Sequence, residues 1–193
     1  MQNQSGIVVM KFGGTSVQDS DSIKNVIKIV KNNPLKKVVV VSAISKATTA
    51  LENIARFAAE KNIDEADKLL KDIINRHHVI IDELVTDGSL RSKAAENIIN
   101  YHRQIAELVK GLSIINELSL RILDAFRVFG ELMSSNVIYH AMANDGIDVE
   151  LIDSRDIIKT NNDFFRSYPN FEISQSNADK IVKPLLKKNK IVL

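Results

Sequence analysis

Lys11 stands at the end of the apolar run Ile7 to Met10 and leads into Phe12-Gly13-Gly14-Thr15-Ser16-Val17. A cation, a glycine pair and two hydroxyls so close together can make an anion site. Gly13 and Gly14 are expected to turn the chain through φ values closed to other residues. Successive backbone N–H groups would then converge on a phosphate, with Thr15 and Ser16 as further donors and Lys11 as a point charge. The order is not that of the P-loop, whose lysine follows its glycines. Ser42 and Thr48 flank Ala43-Ile44-Ser45-Lys46-Ala47 and offer two more hydroxyls, although a strand-end residue and a helix N-cap would look the same. Glu131 follows Gly130 ahead of Leu132, Met133 and Val137. A carboxylate there could receive a cation, or could simply answer the macrodipole in a first helical turn. Lys11 has a plain reading too, as a lysine whose stem covers apolar surface at a strand end.

These residues need elements to hold them. Ile7 to Met10 reads as a strand covered on both faces. Asp19-Ser20-Asp21 offers capping oxygens to a helix with Ile23, Val26, Ile27 and Val30 on one stripe, and Asn32-Asn33-Pro34 ends it. Lys37 to Ala43 is a second buried strand, so strand, helix, strand implies a parallel pair and α/β architecture. Ligands of such sheets gather beyond the carboxyl ends of the strands, where Lys11-Phe12-Gly13-Gly14 and Ser42-Ala43 both fall. Between about Thr48 and Asn144 only helical stripes occur, such as Ala66, Leu69, Leu70, Ile73, Ile74 and Ile98, Ile105, Leu108, Val109, Leu112. This is a large helical insertion, with breaks expected at Asp87-Gly88-Ser89 and at Gly111 and a stop at Asn144-Asp145-Gly146 before a strand over Ile147 to Ile152. Residues 153–171 read as loop-rich. Ser174 is expected to cap a last helix, which Pro184 should distort or shorten.

Lys11-Phe12-Gly13-Gly14-Thr15-Ser16-Val17 resembles the signature of aspartate kinases, in the amino-acid kinase family. Val40-Val41-Ser42-Ala43 and Phe129-Gly130-Glu131-Leu132-Met133-Ser134 match in the same order, and the likeness extends through Leu112 to Ala125 and Lys190-Ile191-Val192-Leu193. The resemblance implies a three-layer α/β/α sandwich with a mainly parallel central sheet and a helical insertion at about 48–145. Residues 1–193 would be the N-terminal, amino-acid-binding portion of the domain, truncated before a Gly-Arg-Gly-Gly-Ser-Asp-like segment and the nucleotide-binding half. The implied reaction transfers the γ-phosphoryl of ATP, carried with Mg²⁺, to the β-carboxylate of L-aspartate, giving 4-phospho-L-aspartate for lysine, threonine and methionine biosynthesis.

By the same resemblance, Lys11 contacts the transferred phosphoryl group and Phe12, Gly13, Gly14, Thr15 and Ser16 complete the phosphate site. Thr48 contacts the amino-acid substrate, Ser42 shapes its site, and Glu131 receives its α-ammonium. One departure is Thr48-Thr49-Ala50, where related sequences often have Thr-Asn or Thr-Asp. The full-length enzyme is expected to be a homo-oligomer, and this stretch alone is expected to be inactive. A non-catalytic aspartate-binding or assembly module, or a kinase of another amino acid, are the alternative readings.

The remaining features exclude more than they assign. With 45% hydrophobic and 26% charged residues, 193 residues make an ordinary globular composition. A net charge of +2 from 26 basic and 24 acidic residues spread along the chain gives no basic face, so neither nucleic acid nor a membrane is expected as a partner. Cysteine is absent, which excludes disulfides and thiolate metal sites and fits a reducing, cytoplasmic setting. The opening Met1-Gln2-Asn3-Gln4-Ser5 is polar, and the apolar run after it is too short for a signal peptide. His77 and His78 are adjacent, about 100° apart on a helix, and cannot chelate as an i, i+4 pair would. Asp153-Ser154-Arg155 reads as a turn or surface ion pair, and Lys187-Lys188 as a solvated helix end.

Overall fold

The computed structural model describes residues 6–164 and 166–193, so the polar segment 1–5 read above lies outside the described residues. Strand β1 (Ile7–Phe12) leads through a single 3₁₀ turn at Gly14–Val17 into helix α1 (Ser20–Asn32), and β2 (Lys36–Val41) follows. Four helices come next, α2 (Ala47–Ala59), α3 (Ile63–Leu84), α4 (Gly88–Ile115) and α5 (Leu120–Asn144). The chain then returns to the sheet with β3 (Val149–Glu150), α6 (Ser154–Ile157), α7 (Phe171–Lys187) and β4 (Ile191–Val192). The strand order is β1-β2-β4-β3 and every pairing is parallel. The α/β class and the helical insertion are as expected, and one hydrophobic core runs from the sheet into the insertion.

Local chemistry accounts for most boundaries. The Asp19 carboxylate accepts from the Ser22 N–H at 2.8 Å and starts α1. Asp87 does the same for α4 through Leu90, also at 2.8 Å, and Gly146, at φ 74°, follows the end of α5. Four expectations fail. Gly111 does not break α4, which runs on to Asn116 in the left-handed conformation at φ 57°. Ser174 is not the cap of α7; Asn170 is, and the buried Ser174 hydroxyl instead accepts from the Lys159 N–H. Pro184 lies inside α7, which continues to Lys187, because a proline in the last turn removes only one ladder bond. The third strand is shorter than Ile147 to Ile152.

The first strand also differs from its reading. β1 is an edge strand, with alternate side chains exposed: Ile7 is 58% and Val9 65% exposed, whereas Met10 and Phe12 pack against the core. An unbroken apolar run therefore does not mean here that both faces are covered. In the insertion, His77 is fully buried, with its Nδ1 at 2.8 Å from the Ile73 carbonyl and Nε2 without a partner. Burial pushes its pKa down to about 4, so the ring is neutral at physiological pH.

Candidate functional site

Parallel pairing brings the two sequence motifs to one rim. Phe12 is in register with Val41, and the Ser42 N–H donates to the Phe12 carbonyl at 3.1 Å. Lys11 to Ser16 and Ser42 to Thr48 therefore leave the sheet side by side, at the carboxyl ends of neighbouring strands. Lys11 is exposed, and its Nζ lies 3.7 Å from where a Gly13 Cβ would be, so the ammonium folds back over the turn it precedes.

The glycines serve space, not unusual torsion. Gly13 is extended at φ −78°, and Gly146 is the one described glycine with positive φ. A Cβ on Gly14 would meet the Ala43 carbonyl oxygen at 3.0 Å and the Ser45 backbone at 3.7 Å. Gly14 thus lets the first connection lie directly against the second. The expected row of free donors is also shorter than anticipated, because the Ser16 N–H is used by the Gly13 carbonyl at 2.9 Å. The Thr15 and Ser16 side chains are exposed.

Glu131 reaches this rim from the interior of α5, about three turns beyond its cap Ser119, and not from a helix start. The macrodipole explanation for a carboxylate here therefore falls away. The reason α5 can pass so close is Gly130: a Cβ there would lie 2.9 Å from the Ala43 Cβ, 3.5 Å from Leu51 and 3.6 Å from the Thr48 hydroxyl. The next residue then accepts the Ala43 N–H on Glu131 Oε1 at 3.3 Å. Ala43 is the meeting point of the first connection, the second connection and α5. Thr48 is not an N-cap. Lys46 occupies that position, in the left-handed region at φ 69° and with no side-chain cap, which places Thr48 in the first turn of α2.

Further along the rim, Glu131 shares a cavity of about 360 Å³ with Tyr101, Asp153 and Arg155, floored by valines of β2. Arg155 donates from Nε to both Asp153 oxygens, at 2.9 and 3.0 Å, and these bonds hold the Asp153 carboxyl below its usual range. Burial, reinforced by Asp153, raises the Tyr101 hydroxyl above its usual value. Helices α2 and α5 are tied beside the site by Arg127, whose Nε donates to Glu52 at 2.6 Å. Arg76 of α3, which no sequence motif singled out, hydrogen-bonds to both connections. Nothing in a helical run of alternating polar and apolar residues marks such an arginine, since its partners are carbonyls distant in sequence.

The rim thus carries a lysine and two hydroxyls around the connection after β1 and the Glu131 carboxylate against the connection after β2. The model of the amino acid kinase family matches residues 6–193. The chain belongs to the amino acid kinase family. Similar proteins within it include the chloroplastic bifunctional aspartokinase/homoserine dehydrogenase 2 of Arabidopsis thaliana, 28% identical over 174 residues, which are 89% of this chain and 19% of that protein. The chloroplastic aspartokinase 1 of the same plant is 29% identical over 159 residues, 80% of this chain and 27% of the relative. Among solved structures, Escherichia coli aspartokinase III in complex with aspartate and ADP superposes with a TM-score of 0.83 at 25% identity, covering 97% of this chain and 40% of that one. The α/β fold of this family member is therefore that of an aspartokinase over its length, and the chain spans well under half the length of these relatives.

Proposed function

We propose that this chain is the amino-acid-binding portion of an aspartate kinase, which transfers the γ-phosphoryl group of ATP to the β-carboxylate of L-aspartate. The observation that carries this reading is the convergence on Ala43: the turn after Lys11 and the carboxylate of Glu131 are both held against one backbone unit. An amino-acid substrate with one ammonium and two carboxylates suits a site that is anionic at one end and cationic at the other.

In this reaction one oxygen of the β-carboxylate attacks the γ-phosphorus while the bond from that phosphorus to the β,γ-bridging oxygen breaks. The bonding pair leaves with ADP, and the product is 4-phospho-L-aspartate. The nucleophile is already ionised at neutral pH, so no residue has to remove a proton. What remains for the protein is positioning and charge stabilisation. Lys11 would stabilise charge on the transferred group, with the Thr15 and Ser16 hydroxyls as donors. Gly13 and Gly14 would admit the phosphate close to the backbone beside Phe12. Glu131 keeps lone pairs beyond the one used by Ala43 and would take the α-ammonium, while Thr48 and Ser42 orient the rest of the substrate. Among the described residues no group of three or more acidic or histidine side chains converges as a metal site. Mg²⁺, which keeps much of its water and prefers phosphate oxygens, would be held mainly by the triphosphate and water, offsetting the triphosphate's charge.

The test, on a full-length protein that contains this portion, is trapping with hydroxylamine, which converts an acyl phosphate to a hydroxamate. Hydroxamate formed with ATP and L-aspartate, and not with L-glutamate, is the expected result. Aspartate binding without ATP consumption would replace this reading with that of a binding module.

A further inference from the structure

The two connections at the rim are held together at their near ends by the sheet itself, through the Ser42 N–H and the Phe12 carbonyl. Gly14 against Ala43 extends that contact by one step. Their far ends have no such support from backbone pairing. There, Arg76 donates from Nη1 to the Ser45 carbonyl at 2.6 Å and from Nη2 to the Gln18 carbonyl at 2.7 Å. Arg76 alone among the described side chains hydrogen-bonds to both connections.

The arginine is well placed to hold a distance. It is half-buried on α3, with Ile73, His77 and Ile80 of the same helix fully or nearly fully buried around it, so its helix cannot shift without disturbing the core. Glu83, two turns further on the same face, accepts from the Ser20 hydroxyl, so α3 grips the start of α1 as well. The planar fork of a guanidinium fixes two acceptors relative to each other, which an ammonium cannot do. An open cleft of about 670 Å³ between these groups is lined by Arg76 together with Gln18, Ser45, Lys46 and Glu83.

We propose that Arg76 is a positioning residue: it sets the separation between the phosphate-binding turn after β1 and the amino-acid-binding loop after β2, and so the alignment of the two reactants. The catalytic part of this inference rests on the aspartate kinase reading; the clamp itself does not. A residue acting in this way affects the approach of bound substrates more than their binding.

Amide hydrogen exchange on the protein tests the clamp without reference to activity. In Arg76→Ala, exchange should rise at least ~10-fold in both windows, residues 13–19 and 42–47, while α4 stays as in the wild type. Glu83→Ala, which removes the acceptor of the Ser20 hydroxyl at the start of α1, should affect the first window only. Arg76→Lys, which keeps the stem and can reach one carbonyl, serves if the alanine variant does not fold, and should loosen at least one window. In the kinase assay of the full-length enzyme, Arg76→Ala should lower kcat ~10–100-fold with KM for aspartate and ATP within about threefold, and millimolar guanidinium should restore part of the loss. Unchanged exchange in both windows, or an equal rise throughout α3 and α4, overturns the clamp. A full-length wild-type protein without aspartate-dependent ADP release would sink the kinase reading, and the exchange windows would still decide the role of Arg76.

Discussion

Gly130→Ala is the most searching test of the way α5 meets the rim. A methyl at this position would stand 2.9 Å from the Ala43 Cβ, whereas ordinary contacts begin at 3.4 Å. Ala43 must therefore retreat by about half an ångström, or α5 must, in a region where overpacking typically costs about 1–3 kcal/mol. Against this, alanine is favoured over glycine inside a helix by about 1 kcal/mol. The net expectation is a loss of about 0–2 kcal/mol, small enough that the protein folds. The bond from the Ala43 N–H to Glu131 is already long at 3.3 Å, so the same displacement should break it and raise KM for aspartate. Ala43→Gly removes the opposing methyl. In a urea-denaturation cycle, Ala43→Gly should therefore recover at least about 1 kcal/mol more in the Gly130→Ala background than its own effect in the wild type predicts. Strict additivity, with aspartate KM unmoved in Gly130→Ala, would refute the contact as the reason for the glycine.

In the full-length enzyme, Lys11→Ala should lower kcat by ~10²–10³ with little change in the melting temperature, as expected for loss of one transition-state charge donor; near wild-type turnover would remove Lys11 from the mechanism. Glu131→Gln should raise KM for aspartate roughly tenfold and leave that for ATP alone, since its partner carries a charge that does not change in the reaction. A fall in stability with constant KM would instead make Glu131 a structural residue. The neutral ring of His77 makes stability pH-dependent. With a folded pKa near 4 against an unfolded value of 6.5, the folded state binds fewer protons, so stability is intact above 6.5 and falls as the pH drops toward 4. The full loss is about 3 kcal/mol. Denaturant titrations between pH 4 and 7 should show a shallower slope in His77→Leu, and an identical slope in the two proteins would exclude His77 as its source.

The parts of this site legible in the sequence were those whose physics is local. Gly-Gly after a strand, a capping Asp19 and the helical stripes of the insertion all announce themselves within a few residues. Glu131 reads in the sequence as the start of a helix because Gly130 looks like a boundary, but the glycine lies inside α5, where a methyl would stand 2.9 Å from the Ala43 Cβ. The glycines of the first connection were likewise read as torsional devices, whereas Gly14 yields room to a carbonyl of another segment. Exposure of Ile7 and Val9 follows from the open face of the sheet, on which Val40 of the interior strand β2 is exposed too, and which face is covered is not written in the strand's own residues. Arg76 was invisible for the same reason: its partners, the carbonyls of Gln18 and Ser45, have no identity in the sequence beyond their place in the fold.

The strand order has a further consequence, for the order of assembly. β1 and β2 are joined by one helix, but β2 and β4 meet at Val38 and Val192, roughly 150 residues apart, a closure that in a flexible chain would cost about 1.5 kcal/mol more than that of β1 onto β2. The intervening helices α2–α5 pack chiefly on their sequence neighbours, and such local contacts form quickly. Once they have done so, the two ends of the insertion are brought back to the sheet and the long loop is effectively shortened. By this contact-order argument the helical bundle would form first and act as a scaffold, and the pairing at the centre of the sheet would come last.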